Sequence, residues 1–360
     1  MTANLEELEI SIEDEPDEDD VSITYDIATY PSDFTLSGIA QMWKDKDIVI
    51  PDFQREFVWS KKQASLLIDS FLCGLPVPSV FFYIDDDNKN LVIDGQQRIL
   101  SSVYFFEGLF GEESTHGKRD VFRLTGLDPK SKYHNKKFDE LDEVDQRKLK
   151  QAVLRAVNIR QLSPVNSNTS AYHIFERLNT GGTPLKPQEI RNCVFRGELC
   201  NKFKELNKDL NWRKILGKST LDKHNKDVEL ILRVFSLLDE IKNYEKPMKE
   251  FLNKAMKEHQ KGDTDKYKKF IDLFPKVTQL IVSKLGEKPF HLRGPINISA
   301  LDSIICIILE NFNNIDSSKL LENYNRLKSE ERFSELTVIS TTDTSVIQDR
   351  FKLVKSLLAT

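Results

Sequence analysis

Residues 94–98 read Asp-Gly-Gln-Gln-Arg and lie between two apolar runs, "LVI" and "ILSSVYFFEGLF". The runs predict a strand followed directly by a helix. The first turn of a helix leaves backbone N–H groups without partners and carries partial positive charge. Gly95 lets the backbone approach a ligand closely, and Arg98 adds a planar fork of donors that suits phosphate oxygens. The junction therefore predicts an anion-binding site.

Asp94 is not explained by phosphate binding alone, because a carboxylate repels an anion. It is explained as a magnesium ligand, directly or through water, or as the group that positions an attacking water. Gln96 and Gln97 can donate and accept hydrogen bonds and so orient a ligand or a water. The alternative is an ordinary helix start, with Asp94 as its cap and Arg98 on the surface. That alternative leaves the Gln-Gln-Arg run unexplained.

A second segment, "PDFQREFVWS", places Gln54, Arg55 and Trp59 in a loop near other strand ends. An arginine beside an aromatic ring can grip a phosphate and stack a base. For the aromatic residues Phe53, Phe57 and Trp59, packing in the core is the alternative.

A third segment, "FERLNTGGTPLKPQEIRN", places Arg177 and Asn179 at a helix end, before a Gly-Gly loop. Glu189 and Arg191 follow on the next helix. The simplest role of the glycines is to end the helix with a positive φ. That role does not account for Asn179, Glu189 or Arg191.

The surrounding pattern indicates which elements position these motifs. Apolar patterning predicts strands at 22–30, 47–50, 76–84, 91–93, 121–127 and 153–162. Helical spacing predicts helices at 35–45, 61–73, 99–110 and 141–151, with Ser60 capping the second and Gly74 ending it. From residue 166 onward nearly every segment has helical periodicity, with Pro187 in the first turn of one helix. The fold class is therefore α+β, a mixed N-terminal domain followed by an α-helical domain, with the boundary between residues 165 and 200.

Composition favours a cytoplasmic protein with a sizeable core. The chain has 39% hydrophobic and 30% charged residues. No apolar run approaches the roughly 20 residues that span a bilayer, so we expect no membrane association. The N-terminus does not resemble a signal peptide. The four cysteines have no metal or redox spacing, which indicates reduced thiols: Cys73, Cys193, Cys200 and Cys306.

Charge is distributed unevenly along the chain. The first 20 residues contain ten acids and no base, so residues 21–360 carry a net charge of +5 although the whole chain carries −5. This start is expected to be a disordered acidic tail, with partner docking or mimicry of nucleic-acid charge as the alternative. The mildly basic remainder is compatible with an anionic ligand without being diagnostic of one.

Taken together and in this order, "IPDFQREFVWS", "VIDGQQR" and "FERLNTGGTPLKPQEIRN" closely resemble the GmrSD-type restriction-system N-terminal domain family. This family is the DGQQR-motif branch of the ParB/sulfiredoxin-like fold, and the resemblance covers residues 30–200. It implies a small domain that binds a nucleoside triphosphate, and often hydrolyses it, in bacterial defence against phage or modified DNA. The predicted domains are an acidic tail (1–20), a ParB/sulfiredoxin-like domain (21–195) and an α-helical domain (196–360).

The resemblance also implies roles for individual residues. The turn formed by Asp94, Gly95, Gln96, Gln97 and Arg98 would handle the nucleotide phosphates, with Asp94 on Mg²⁺ or on water. Gln97, Arg98 and Glu189 would complete the catalytic group. The other nucleotide-binding residues are those that match the family's two remaining motifs: Gln54, Arg55, Arg177, Asn179 and Gly182.

The leading functional hypothesis is a Mg²⁺-dependent NTPase, or a nucleotide switch, in a phage-defence or restriction system, with the base of the nucleotide left open. The alternative is a DNA-binding module without catalysis, a reader of modified DNA that acts with a separate nuclease. A third hypothesis is direct nuclease action by the N-terminal domain, although the sequence has no cluster of several acids for two metal ions.

Many family members carry or recruit an HNH-type nuclease, which needs a histidine and further metal ligands close together. After residue 200 the chain offers only His224, His259 and His291, in unrelated contexts. We therefore do not expect HNH chemistry. The helical half is expected to sense a signal, contact a partner such as a separate nuclease subunit, or mediate homo-oligomerisation.

Overall fold

The computed structural model describes residues 26–50, 57–85, 87–111, 119–163, 170–178 and 186–359. Contacts group these residues into two compact units, one of the described residues up to 178 and one of those from 186 onward. The predicted acidic tail at 1–20 lies outside the described residues, and the domain limits at 21–195 and 196–360 stay predictions.

The first unit is built on a mixed sheet. Its described strands are β1 (Asp26–Thr35), β2 (Ile48–Val49), β3 (Val80–Ile84), β4 (Asn90–Asp94), β5 (Leu109–Phe110), β6 (Asp120–Val121) and β7 (Val153–Ser163). Five of them form a sheet with the order β1-β7-β3-β4-β2, and β5 pairs with β6. β4 is antiparallel to β3 and parallel to β2, so its last residue, Asp94, ends at the edge where the next helix starts.

The described helices of the first unit are α1 (Leu36–Lys44), α2 (Lys61–Cys73), α3 (Gln96–Glu107), α4 (Glu143–Gln151) and α5 (Ser170–Leu178). The caps of α2 confirm the prediction from sequence. The Ser60 hydroxyl accepts a hydrogen bond from the Gln63 N–H, and Gly74 ends the helix at a φ of +76°. Both groups satisfy backbone positions that a helix end leaves open.

The core of this unit lies between the sheet and its helices. Val80, Phe82 and Val92 are fully buried on the two central strands, and Ile99 and Phe105 are fully buried on α3. These side chains belong to one apolar cluster, which therefore joins α3 to the two strands.

One predicted strand is wrong. Residues 121–127 were expected to form a strand, but the strand there is only β6, which ends at Val121. Phe122 and Leu124 are both buried, as their alternation predicts. The Leu124 N–H donates instead to the carbonyl of Lys136, at 2.9 Å, in a loop. The alternation therefore predicted the burial of these side chains correctly. The segment is not a strand, because no described strand pairs with its backbone beyond Val121.

The second unit is helical throughout its described regular structure apart from short turns. Its helices are α6 (Pro187–Val194), α7 (Glu198–Leu206), α8 (Leu210–Leu216), α9 (Lys226–Leu237), α10 (Met248–Glu258), α11 (Asp265–Leu285), α12 (Ile298–Glu310), α13 (Leu320–Ser329), α14 (Glu331–Leu336) and α15 (Thr344–Leu358). The predicted α+β class, with a mixed unit followed by a helical one, is confirmed. Pro187 occupies the first turn of α6, as predicted.

The core of the second unit combines apolar side chains with buried ion pairs. The central helices α9 and α12 bury nearly all of their residues. Arg233 Nε lies 2.8 Å from Asp302 Oδ2, and Arg350 Nη2 lies 3.6 Å from Asp302 Oδ1, with the side chains 5% exposed or less. Within the described ranges, no helix is both long enough and apolar enough to cross a membrane.

Candidate functional site

The turn between β4 and α3 depends on glycine for its shape. Gly95 has a φ of +104°, which side-chain-bearing residues rarely adopt. A Cβ at this position would lie 2.3 Å from Val80 Cγ1 and 3.2 Å from Val80 Cα, well inside contact distance. The backbone of the turn therefore packs directly on β3. Val80 is a determinant of the turn that no motif in the sequence indicated.

The N-terminus of α3 is not capped by a side chain. Gly95 is the N-cap residue, and no side-chain cap hydrogen bond is formed there. The sequence alternative in which Asp94 caps an ordinary helix is therefore wrong. The helix also begins at Gln96, earlier than the predicted Ile99, so the Gln-Gln-Arg run forms its first turn. A helix start of this kind presents backbone N–H groups and the positive end of the helix dipole to a ligand.

Asp94 and Arg98 are joined by an ion pair across this first turn. Arg98 Nη2 donates to Asp94 Oδ2 at 2.6 Å, and the Arg98 side chain is 16% exposed against 58% for Asp94. Among the described residues, the buried Arg98 Nε has no hydrogen-bond partner. A guanidinium carries five N–H donors, so donors remain for an anionic ligand. Arg98 is thus a largely buried, pre-oriented donor rather than a solvated surface residue.

Gln97 links the turn to the segment that follows the first motif. Its Oε1 accepts hydrogen bonds from the Val58 N–H at 3.0 Å and from the Trp59 N–H at 3.1 Å. The side chain therefore positions residues 57–60 against the start of α3. Gln96, beside it, is half-buried.

The first motif itself is described only in part. Gln54, Arg55 and Phe53 lie outside the described residues. The Phe57 ring packs edge-to-face on Tyr104 and Phe110, at centroid distances of 5.0 and 5.4 Å. Together with Trp59, which packs against the same cluster, it belongs to the core of the first unit. The core-packing alternative is therefore confirmed for Phe57 and Trp59.

The third motif is divided between the two units. Arg177 lies near the end of α5, exposed, and makes no ion pair with any described residue. The buried Tyr172 and Phe175 anchor α5, which packs near β4, the strand that ends in Asp94. Asn179 and Gly182 lie outside the described residues.

Glu189 lies in the second unit, at the start of α6. Its Oε2 accepts a hydrogen bond from the Lys186 N–H at 2.7 Å, so the carboxylate satisfies a backbone donor at the helix start. Its Oε1 lies 3.3 Å from His224 Nδ1, and both side chains are mostly buried. Sequence reasoning did not find His224, because 35 residues separate it from Glu189.

Arg191, two positions on, is a structural residue of the second unit. Its side chain is 2% exposed. Nε donates to Asn253 Oδ1 at 2.9 Å, and Nη1 donates to Glu229 Oε2 at 2.8 Å. The end of the third motif therefore joins α6 to α9 and α10.

The described side chains near the turn offer few groups that could bind a magnesium ion. No group of three or more His, Cys, Asp or Glu side chains that could hold a metal occurs among the described residues. Asp94, however, offers one exposed carboxylate at the turn. Mg²⁺ is commonly bound by one or two carboxylates together with substrate phosphates and water. A single carboxylate beside a phosphate site fits that pattern.

Comparison with known families finds a match, which covers most of the first unit and the start of the second. Residues 38–196 match the family described as the N-terminal domain of the GmrSD restriction endonuclease. The matched segment contains the β4–α3 turn and ends just after α6, so it includes all three motifs. The match sets the domain in the context of a restriction system. No curated protein matches the chain at a significant level.

Proposed function

Because residues 38–196 match the family of GmrSD restriction endonuclease N-terminal domains, we propose that the protein binds a nucleoside triphosphate at the β4–α3 turn and hydrolyses it with Mg²⁺. The arrangement of the turn is the observation that carries the proposal. Gly95, with its φ of +104°, gives the turn its shape, the start of α3 has no side-chain cap, and Arg98 lies beside it. Phosphate groups bind helix starts of this kind.

The residues of the turn have distinct parts in this function. The first N–H groups of α3 and the Arg98 guanidinium hold phosphate oxygens and stabilise the charge that develops on them during transfer. Asp94 orients Arg98 through the 2.6 Å ion pair and supplies a carboxylate to a metal or a water. Gln97 fixes residues 57–60 next to the turn.

The remaining predicted residues extend the site beyond the turn. Gln54 and Arg55 precede the segment that Gln97 holds. Arg177 lies in the last turn of α5, which packs near β4, and Asn179 and Gly182 follow in the sequence. We assign these five to nucleotide binding. Glu189 is assigned as the second candidate, after Asp94, for the carboxylate that acts on a metal or a water.

Mg²⁺ would bind through Asp94 together with the nucleotide. When bound, it neutralises charge on the phosphate oxygens and polarises the phosphoryl group. The chain's own contribution is positioning, through Asp94, Arg98 and the helix start.

Within a restriction system, nucleotide turnover would control a partner. We propose that this partner is a separate nuclease subunit acting on DNA, and that the helical unit contacts it or forms a homo-oligomer. The DNA-reader hypothesis would draw on the lysine-bearing segments at 201–214 and 246–269. Several of these pair with acids: Lys202 with Glu205 at 2.7 Å, Lys269 with Asp239 at 2.9 Å and Lys246 with Asp343 at 2.8 Å. This pattern is that of ordinary solvated faces, so nucleotide binding is the favoured function.

Isothermal titration calorimetry of the full chain tests the binding step. ATP, GTP, CTP and UTP are each titrated with Mg²⁺ into wild type, Arg98→Ala and the control Arg147→Ala. Arg147 is a 67% exposed arginine on α4, so its loss should change nothing. A hydrogen bond to a charged group contributes about 1.5–3 kcal/mol, so Arg98→Ala should weaken binding by about 10- to 100-fold. The proposal is contradicted if none of the four nucleotides binds to wild type. It is also contradicted if Arg98→Ala binds as tightly as Arg147→Ala.

A further inference from the structure

A second concave site lies in the first unit, away from the β4–α3 turn. It is a cavity of about 720 Å³ bounded by α1, α3 and the end of α4. Pockets that bind small molecules usually measure about 300–1,000 Å³. The cavity is therefore large enough for a ligand of mononucleotide size.

The cavity and the turn lie at opposite ends of the same elements. Phe106 and Glu107, at the C-terminal end of α3, line the cavity, whereas Gln96 starts the helix at the turn. At 1.5 Å per residue, these ends are about 16 Å apart. Ile48 also lines the cavity and pairs with Asn90, the first residue of β4, whereas Asp94 is the last. A ligand in the cavity would thus be separate from one at the turn.

Two aromatic side chains supply flat apolar surface. Trp43 from α1 and Phe106 from α3 both line the cavity and are half-buried. Phe106 packs edge-to-face on Phe138 at 4.9 Å, which fixes its ring. Trp43 makes no ring contact with any aromatic residue in the described part of the chain. Trp43 packs on one side against the apolar core, and the part of its ring that lines the cavity offers flat surface to a planar group.

The charged residues of the lining are mainly basic. Lys44, Lys46 and Lys150 line the cavity, and the acid among the lining residues is Glu107. Glu107 already pairs with Arg119 at 2.7 Å. Lys44 and Lys46 make no ion pair with any described residue. The Asp45 carboxylate, between the two lysines, accepts hydrogen bonds from Gln41 of the lining, at 2.9 and 2.8 Å. Three lysines against one glutamate nevertheless give the lining residues a net positive charge beside aromatic surface, which suits an anion.

The walls of the cavity are tied together by polar contacts. The Ser37 hydroxyl on α1 donates to the carbonyl of Lys150, at 3.0 Å, and the Leu36 N–H donates to the carbonyl of Ala152, at 2.9 Å. These bonds join the start of α1 to the end of α4. The site is therefore formed before a ligand arrives, which lowers the entropy lost on binding.

We propose that this cavity binds a planar aromatic anion of mononucleotide size, as a second ligand site independent of the nucleotide proposed for the turn. The aromatic part would stack on Trp43 beside Phe106, and the anionic part would contact Lys44, Lys46 and Lys150.

The test uses the full chain with both Asp94→Ala and Arg98→Ala, which disables the turn. AMP, GMP, CMP and UMP are titrated calorimetrically without Mg²⁺, and ribose 5-phosphate serves as an anion without a ring. We expect at least one mononucleotide to bind. Ribose 5-phosphate should bind at least about fivefold more weakly, because base stacking on an aromatic side chain is lost.

Three further substitutions locate that binding. Ala40 lines the cavity, so Ala40→Trp places an indole in the space the ligand would occupy without a change of charge, and it should weaken binding strongly. Lys44→Glu should weaken binding by about tenfold, since it replaces an attractive charge with a repulsive one. Lys130→Glu, an equal charge change at an exposed turn residue outside the cavity, should leave affinity unchanged.

Several outcomes overturn this inference: no binding of any mononucleotide, affinity insensitive to both Ala40→Trp and Lys44→Glu, or equal affinity for ribose 5-phosphate. If one variant fails to fold, the other decides. Because the mononucleotide titrations use a disabled turn and no Mg²⁺, their result does not depend on whether wild type binds or hydrolyses a triphosphate.

Discussion

At the scale of single residues, the β4–α3 turn requires glycine at one position for two reasons. Gly95 has a positive φ, and its Cα packs on Val80 with no room for a Cβ. Gly108, at the other end of α3, also has a positive φ but has room for a Cβ. Its φ is +73°, and an added Cβ would meet nothing within 4 Å. A comparison of the two positions therefore distinguishes the cost of a left-handed backbone from the cost of a steric clash.

Replacing each glycine by alanine should give unequal losses of stability. Gly108→Ala carries only the left-handed backbone penalty, about 1–2 kcal/mol. Gly95→Ala carries a similar penalty plus the clash with Val80, so we expect a further loss of about 1–3 kcal/mol from overpacking. Urea unfolding of both variants measures the difference. Equal losses would show that β3 yields to the added methyl group and that the close packing is unimportant.

At the scale of elements, α3 connects the turn to the first motif through Gln97. The side-chain oxygen holds two backbone N–H groups of residues 57–60, at Val58 and Trp59. The helix α3 therefore anchors a neighbouring loop, in addition to providing the helix start proposed to bind the nucleotide.

Removal of this anchor should be visible in amide exchange. In Gln97→Ala, the Val58 and Trp59 amides lose their acceptor, and each hydrogen bond is worth about 0.5–1.5 kcal/mol. Native-state hydrogen exchange should therefore become roughly tenfold faster at these two amides. Gln97→Glu keeps an acceptor oxygen and should retain protection. Unchanged exchange in the alanine variant would show that another group holds the loop.

Local signals in the sequence predicted those elements whose determinants are also local. The helix α2 could be read from Ser60 and Gly74, and α11 from its periodicity, because caps and helical spacing act within a few residues. The strand at 121–127 failed, because a strand needs a partner that is distant in sequence. The Leu124 N–H donates instead to the Lys136 carbonyl, in a loop.

The same distinction applies to the candidate site. The residue types at 94–98 indicated an anion site, and the structure places them at an uncapped helix start. The ion pair between Asp94 and Arg98 follows the spacing of four residues and could have been inferred. Val80 and His224 could not, because their contacts with Gly95 and Glu189 arise only from the tertiary fold.

At the scale of the whole molecule, two histidines make the stability of the helical unit depend on pH. In the helical unit, burial lowers the pKa of His259 below its ordinary value, and burial likewise lowers the pKa of His291. Both rings are therefore neutral in the folded state at a pH where the unfolded chain begins to bind protons. The free energy of unfolding of this unit should consequently fall as pH falls through about 6.5.

Trp212 can report this unit selectively, since it is fully buried there. In a protein with Trp43→Phe and Trp59→Phe, urea unfolding is followed by Trp212 fluorescence at pH 7.5 and 5.5. We expect lower stability at pH 5.5, and a smaller difference after His259→Gln. His134→Gln, an exposed histidine of the first unit, is the control. An undiminished difference in His259→Gln would show that other groups cause the pH dependence.

The central claim is that Asp94 and Arg98 form the site of nucleotide hydrolysis, and phosphate release tests it most directly. Wild type, Asp94→Ala and Arg98→Ala are assayed with ATP, GTP, CTP and UTP, with Mg²⁺ or EDTA, and with or without phage DNA. Asp272→Ala is a matched control, because Asp272 forms an exposed ion pair with Lys276, also four residues away, at 2.8 Å.

Turnover of at least one nucleotide, abolished by EDTA, should fall by about 10²–10³ in Asp94→Ala and Arg98→Ala and persist in Asp272→Ala. No turnover under any condition, or turnover that survives both substitutions in folded protein, would contradict the account.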